Sequence, residues 1–329
     1  MIKFFRNSYL TQYVSIALLL IALWIPSFVT GNIDPTLRSP VTPLYNLLAD
    51  LFDFWPPFML IFAMLLMAFE TVFFNSILTS NQLIGKVNTL GAVVFLLMMN
   101  LLPVQTTFYP FLLSSVFLLM FIHTLFAIYQ TPRPELYLLN AGIYLSLATM
   151  FWFPSLLLVL WGVIALSIIH KGSIRFYLIT FVGLLFPYFV LFSIHFLKGD
   201  LLPVWQAYAD YFVGLRLVVE GLTWLKIVLL GFMVLVLFIP LLMPHHYTLE
   251  RSVAVRTKIA MTYNLMLLGI LLLFVGNEPM QSGVLFLALS ILYSYYMAYL
   301  DKLKWANITF IILMLAVLAS HYVPLFIRP

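Results

Sequence analysis

Long apolar runs, broken by short polar stretches, follow one another along the whole chain. A helix crosses a bilayer with roughly 17–25 predominantly apolar residues. Runs at about 12–30, 57–78, 88–103, 110–130, 138–152, 155–170, 176–197, 224–244, 261–276, 282–300 and 305–326 reach or approach that length. They predict an all-α fold, a polytopic transmembrane helical bundle of about 11 spans. Only Phe153 and Pro154 divide the runs 138–152 and 155–170, so a single kinked helix is the alternative there. The opening MIKFFRNSYLTQYVSIALLLIALWIPSFV has the basic start and apolar centre of a signal sequence but no small-x-small cleavage site. It reads as an uncleaved first span.

Most connections are short, as between packed neighbouring helices. Two are long, residues 31–56 and 198–223, and each holds an amphipathic stretch. In TPLYNLLADLFDFW, helical spacing places Leu44, Leu47, Leu48, Leu51 and Trp55 on one face and Asn46, Asp50 and Asp53 on the other. In PVWQAYADYFVGLRLVVE, Trp205, Tyr208, Phe212, Leu215 and Val219 form a looser stripe. Such helices lie in the membrane interface rather than across it.

Composition narrows the class. Of 329 residues, 64% are hydrophobic and 8% charged, against about 25% charged in a soluble domain. The chain lacks the polar surface a soluble domain needs, and one membrane domain, 1–329, is expected. With no cysteine, disulfides, thiolate metal sites and cysteine nucleophiles are excluded. The net charge of +5 is explained by cytoplasmic loops rather than by nucleic acid.

Charge also orients the spans. With the N-terminus cytoplasmic, eleven of the sixteen cations fall inside: Lys3, Arg6, Lys86, Arg133, Lys171, Arg175, Arg251, Arg256, Lys258, Lys302 and Lys304. Arg38, Lys198, Arg216, Lys226 and Arg328 fall outside, with most of the acids. Merging 138–152 with 155–170 would invert everything downstream and violate the positive-inside rule. Both long connections then face out.

Ionisable groups near hydrocarbon are costly and mark candidate sites. Asp34 and Arg38 lie in the first outer connection; His195, Lys198 and Asp200 cluster where the seventh span exits; Arg216 and Glu220 follow, and His321 ends the last span. A carboxylate with several cations suits activation of an acceptor beside a lipid phosphate, for which Arg offers a bidentate fork. Solvated loop charges and headgroup anchors are the alternative, and Asn32-Ile33-Asp34-Pro35 is also good turn chemistry. Glu70, inside the second span, reads as a proton or ion site or as a structural acid bonded to Thr71, Asn75 or a neighbouring helix. His123 accompanies it in the fourth span. His245 and His246 are adjacent and point apart, so they make no metal pair. No metal and no cofactor is implied, since one or two acids hold a hard cation poorly. Phosphate-loop, HExxH, GxSxG and dinucleotide motifs do not occur.

This layout, with the stretch I33-D34-P35-x-x-x-R38 and the middle spans from LYLLNAGIYL to HFLKGD, resembles the GT-C superfamily of membrane glycosyltransferases. The likeness covers about residues 1–225 as a GT-C-like module, leaving 226–329 as additional C-terminal spans. The chain also resembles a family of polytopic Bacteroidetes membrane proteins with no assigned activity. The GT-C resemblance implies a polyprenyl-phosphate-type sugar donor at the outer face of a bacterial inner membrane. It implies Asp34 as the base and Arg38, Lys198 and Arg216, with His195, as phosphate binders. Its partners would be a membrane lipid or lipid-linked sugar, and other membrane subunits. Two other readings stay open: a non-catalytic membrane subunit of an envelope or secretion assembly, and a small-solute or lipid transporter.

Overall fold

The computed structural model describes residues 2–7, 10–30, 39–52, 55–85, 88–102, 105–129, 131, 133–169, 173–214, 252–274, 281–299 and 303–327. They form helices α1 (Ile2–Phe5), α2 (Leu10–Thr30), α3 (Pro43–Phe52), α4 (Pro56–Ser80), α5 (Leu90–Met99), α6 (Pro110–Ile128), α7 (Glu135–Phe151), α8 (Leu158–Ile168), α9 (Ile174–Lys198), α10 (Leu201–Gly214), α11 (Val253–Leu273), α12 (Ser282–Tyr299) and α13 (Leu303–Ile327). No strand occurs among the described residues. The protein is an all-α, multi-pass membrane bundle.

Six of these helices, α2, α4, α6, α9, α11 and α12, are long and apolar enough to cross a membrane. The apolar parts of α5, α8 and α13 are shorter, and the expected span at 224–244 lies outside the described residues. Proline sets the first turn of α4 and α6, where its missing N–H costs nothing. Gly199, left-handed at φ 78°, closes α9 as a glycine C-cap does.

Hydrogen bonds between helix ends fix the direction of each helix. The backbone N–H and hydroxyl of Thr89, before α5, donate to the Phe5 carbonyl. Arg6 donates to the Met297 carbonyl near the end of α12, and the Ile2 amide to Asn307 near the start of α13. Lys258, early in α11, donates to the carbonyl of Asn81, which caps α4, and Asn81 also meets His123 of α6. Arg175 of α9 pairs with Glu135 of α7 at 3.6 Å. Among the described residues, one end of the bundle therefore gathers Lys3, Arg6, Arg133, Arg175, Arg256, Lys258 and Lys304, with Glu135 as its acid. The opposite end holds Asp50, Lys198, Asp200 and Asp210.

Within this alternation α7 and α8 are two helices. Trp152 leaves the helical region (φ −142°, ψ 102°), a short 3-10 turn spans Phe153–Leu157, and α8 then runs back to the basic end. There Ser167 meets the Tyr177 hydroxyl of α9 at 2.9 Å.

Two expectations change. The run 88–103 forms a ten-residue helix, every residue of it buried, about 15 Å long against the ~30 Å of hydrocarbon. It is the enclosed centre of the bundle, packed chiefly on α4 and α12. The helix ends at Asn100, whose side chain bonds Trp24 and Leu96 and whose carbonyl meets His321. Helix α11 begins eight residues before the expected 261 and takes in Arg256 and Lys258. Helix α9 lies at the rim, with Leu178, Phe181, Phe186 and Phe189 among its exposed side chains.

Candidate functional sites

At the end away from the basic cluster, α3 and α10 lie as short amphipathic helices, and among the described residues only part of each predicted apolar stripe is buried against protein. On α3 the inward residues are Tyr45 and Ala49, with Leu44, Leu48 and Phe52 partly covered; Leu47 and Leu51 are exposed, as is Trp55 beyond the helix. Aromatic contacts decide this: Tyr45 stacks on Phe108, and Phe52 meets Phe58, Phe62 and Phe108. On α10 the buried residue is Tyr208, while Trp205 and Phe212 stay largely exposed.

Tyr208, Phe153 and Val41 form one buried cluster. Phe153 stands edge-on to Tyr208, Tyr211 and Phe212 at 4.9–5.3 Å between ring centres. The approach to α3 in the first connection, the α7–α8 break and α10 in the second are thus held together at one end. Burial, with Tyr188 nearby as the lesser cause, pushes the Tyr208 phenol above its ordinary value. It stays a neutral donor, and its oxygen has no hydrogen-bond partner among the described residues.

Of the residues expected at this end, His195 and Lys198 are described. His195 Nδ1 lies 3.0 Å from Asp200 Oδ1 across the Gly199 cap, and Lys198 is exposed beside them. Asp34, Arg38 and Arg216 lie outside the described residues.

A polar layer that sequence reading missed lies where α5 ends. Asn100 is fully buried. Its Oδ1 accepts from the Trp24 indole N–H at 3.2 Å, its amide donates to Leu96, and its carbonyl lies 2.7 Å from His321 Nε2. Ser320 donates to the Leu101 carbonyl, Ser27 meets Thr106 at 2.6 Å, and Tyr45 donates to the Phe108 carbonyl. Non-helical backbone at membrane depth is tolerated only when protein satisfies it in this way. His321, expected at the outer edge of the last span, is instead enclosed here.

Glu70 is fully buried in α4. Its partner is a neighbouring helix: Ser115 Oγ of α6 lies 2.7 Å from Glu70 Oε1, and 2.7 Å from the Leu112 carbonyl. Thr71 donates instead to Met67, and Asn75 bonds the backbone of Asn88 and Ala92. Glu70 Oε2 and the nearby Tyr109 hydroxyl are enclosed without a hydrogen-bond partner among the described residues. A lone acid in an apolar run marks Glu70; Ser115 and Tyr109 carry no such signal, being ordinary residues of an apolar run.

No protein-family model, curated protein or solved structure matches the chain.

Proposed function

We propose that the protein is a GT-C-like glycosyltransferase, taking a sugar from a polyprenyl-phosphate-type donor at the outer face of a bacterial inner membrane. The observation that carries this reading is the Val41–Phe153–Tyr208 cluster, which seats both long connections on the end opposite the basic one. By the positive-inside rule the basic end is cytoplasmic, so the two connections share the outer face. Exposed Leu47, Leu51 and Trp55 beside α3, and Trp205 and Phe212 on α10, give both connections apolar side chains suited to the headgroup boundary. An amphiphilic donor entering from the outer leaflet meets that surface first.

In this reading Asp34 takes the proton from the acceptor hydroxyl as it attacks the sugar carbon. The phosphate leaves with the bonding pair, and Arg38, Lys198 and Arg216 stabilise its charge. His195 is the weaker member of this group, because Asp200 already engages its Nδ1.

The test is sugar transfer by the full-length protein in proteoliposomes supplied with polyprenyl-phosphate sugars. Wild type transfers, and Asp34→Asn loses transfer while keeping its thermal midpoint and donor binding. Full activity in Asp34→Asn removes the catalytic role. Donor binding without turnover in wild type favours the non-catalytic subunit.

A further inference from the structure

Ser115 is placed where a single proton must be shared out. Its hydroxyl oxygen stands 2.7 Å from both Glu70 Oε1 and the Leu112 carbonyl, yet a hydroxyl carries one proton and otherwise only accepts. The Leu112 carbonyl can only accept. Both contacts are full hydrogen bonds only if the second proton comes from the Glu70 carboxyl.

The surroundings favour the same state. An isolated carboxylate removed from water is strongly disfavoured unless paired, and no cation pairs with Glu70 among the described residues. The helices packed against α4 are α2, α3, α5 and α6. α5 brings no titratable side chain. α2 brings Tyr13, on the exposed side of its first turn; α3 brings Asp50 and Tyr45, whose hydroxyl serves Phe108. α6 brings His123, bound to Asn81, and Tyr109 at its cap. Lys258 meets the far end of α4 at Asn81, eleven residues and about 16 Å of helix from Glu70. Among the described residues, Tyr109 comes within electrostatic reach of the carboxyl.

We propose that Glu70 is an intramembrane proton-binding site, resting as a neutral carboxylic acid that donates through Oε1 to Ser115, whose own proton goes to Leu112. Oε2 is then a carbonyl oxygen, and neither it nor the Tyr109 hydroxyl, which lies within electrostatic reach of the carboxyl, has a hydrogen-bond partner among the described residues. When the proton leaves, Ser115 turns its hydrogen from Leu112 to Oε1 and Tyr109 donates to Oε2. Ser115 therefore switches the acceptor of its hydrogen with one proton while Tyr109 gains an acceptor, and the ligand is the proton itself. This site is separate from the outer-face chemistry and stands or falls independently of Asp34.

The experiment is infrared spectroscopy of the full-length protein in lipid bilayers, following the C=O stretch of protonated carboxyls. At neutral pH wild type gives such a band, shifted by deuterium exchange, lost at alkaline pH and restored on return. Glu70→Gln abolishes it, while Glu135→Gln and Asp200→Asn keep it. Ser115→Ala and Tyr109→Phe move its frequency without removing it. A wild type lacking the band at neutral pH, or a band surviving in Glu70→Gln, overturns the proposal. Loss of the band on adding sodium at fixed pH overturns it in favour of an alkali-cation site. Should Glu70→Gln not fold, a band unmoved in both Ser115→Ala and Tyr109→Phe overturns it equally.

Discussion

Gly142 of α7 and Gly183 of α9 meet backbone to backbone: a Cβ on Gly183 would stand 3.2 Å from the Gly142 Cα and 2.3 Å from the Leu139 carbonyl oxygen. A Cβ on Gly142 would stand 2.1 Å from the Thr180 carbonyl oxygen. Lipid tails are as apolar as Leu, so helices in a bilayer associate by close packing, and small residues at a crossing permit it. This crossing fastens the otherwise exposed α9 to the bundle and thereby positions Lys198 and α10 at its end.

Gly142→Ala and Gly183→Ala force the two helices apart and should each cost about 1–3 kcal/mol, the usual penalty of overpacking. The readout is the thermal midpoint of the full chain in detergent. Gly85→Ala is the control, because a Cβ there meets nothing within 4 Å and should leave the midpoint unchanged. Equal midpoints for all three variants would mean that α7 and α9 do not cross here.

The chain has no cysteine, so single introduced thiols report their side of the membrane without background. Cysteines at Asp50, Lys198 and Asp210 should react with a membrane-impermeant maleimide added to intact cells. Cysteines at Arg133, Arg175, Arg256 and Lys304 should react only after the membrane is opened. A mixed pattern within either set would break the alternation of helix directions that the end-to-end hydrogen bonds define.

Hydropathy located every described long helix, because a bilayer demands a long apolar run whatever the tertiary packing. It failed where packing overrides length. The run 88–103 is apolar enough to approach a span, yet its helix stops at Asn100, whose polar atoms Trp24 and His321, distant in sequence, satisfy. Lys258 read as a loop cation because charge marks interfaces. It is buried on α11 because the Asn81 carbonyl at the negative end of α4 receives it. The apolar stripes of α3 and α10 were legible, but which of their residues meet protein was not. In an interfacial helix both the lipid side and the protein side accept apolar residues, so periodicity alone does not say which is buried. Glu70 was legible as a lone acid in hydrocarbon, whereas the proton count around it needs the Ser115 and Leu112 distances.

Asn100 is the keystone of the polar layer at the end of α5. Asn100→Ala leaves the Trp24 N–H buried without an acceptor, which should cost about 1–3 kcal/mol and shift the tryptophan emission. Trp24→Phe in the same background removes the stranded donor and should recover part of the loss. If the double variant is no more stable than Asn100→Ala, the Trp24–Asn100 bond carries no coupling.

Tyr208 separates a structural from a chemical role at the outer end. Its ring fills the cluster with Phe153 and Val41, so Tyr208→Ala opens a cavity and should cost about 3–5 kcal/mol, as large aromatic truncations do. Its hydroxyl is buried without a partner among the described residues, and removing an unsatisfied hydroxyl is neutral or stabilising. Tyr208→Phe should therefore keep or raise the thermal midpoint. Because burial holds the phenol neutral, its polar contribution at ordinary pH is that of an uncharged hydroxyl, able to donate one hydrogen bond to a phosphate oxygen. If Tyr208→Phe keeps the midpoint and also keeps sugar transfer, the residue only seats α10. If it keeps the midpoint but weakens donor binding, the unpaired hydroxyl reaches the lipid phosphate, and α10 belongs to the binding surface rather than merely to its support.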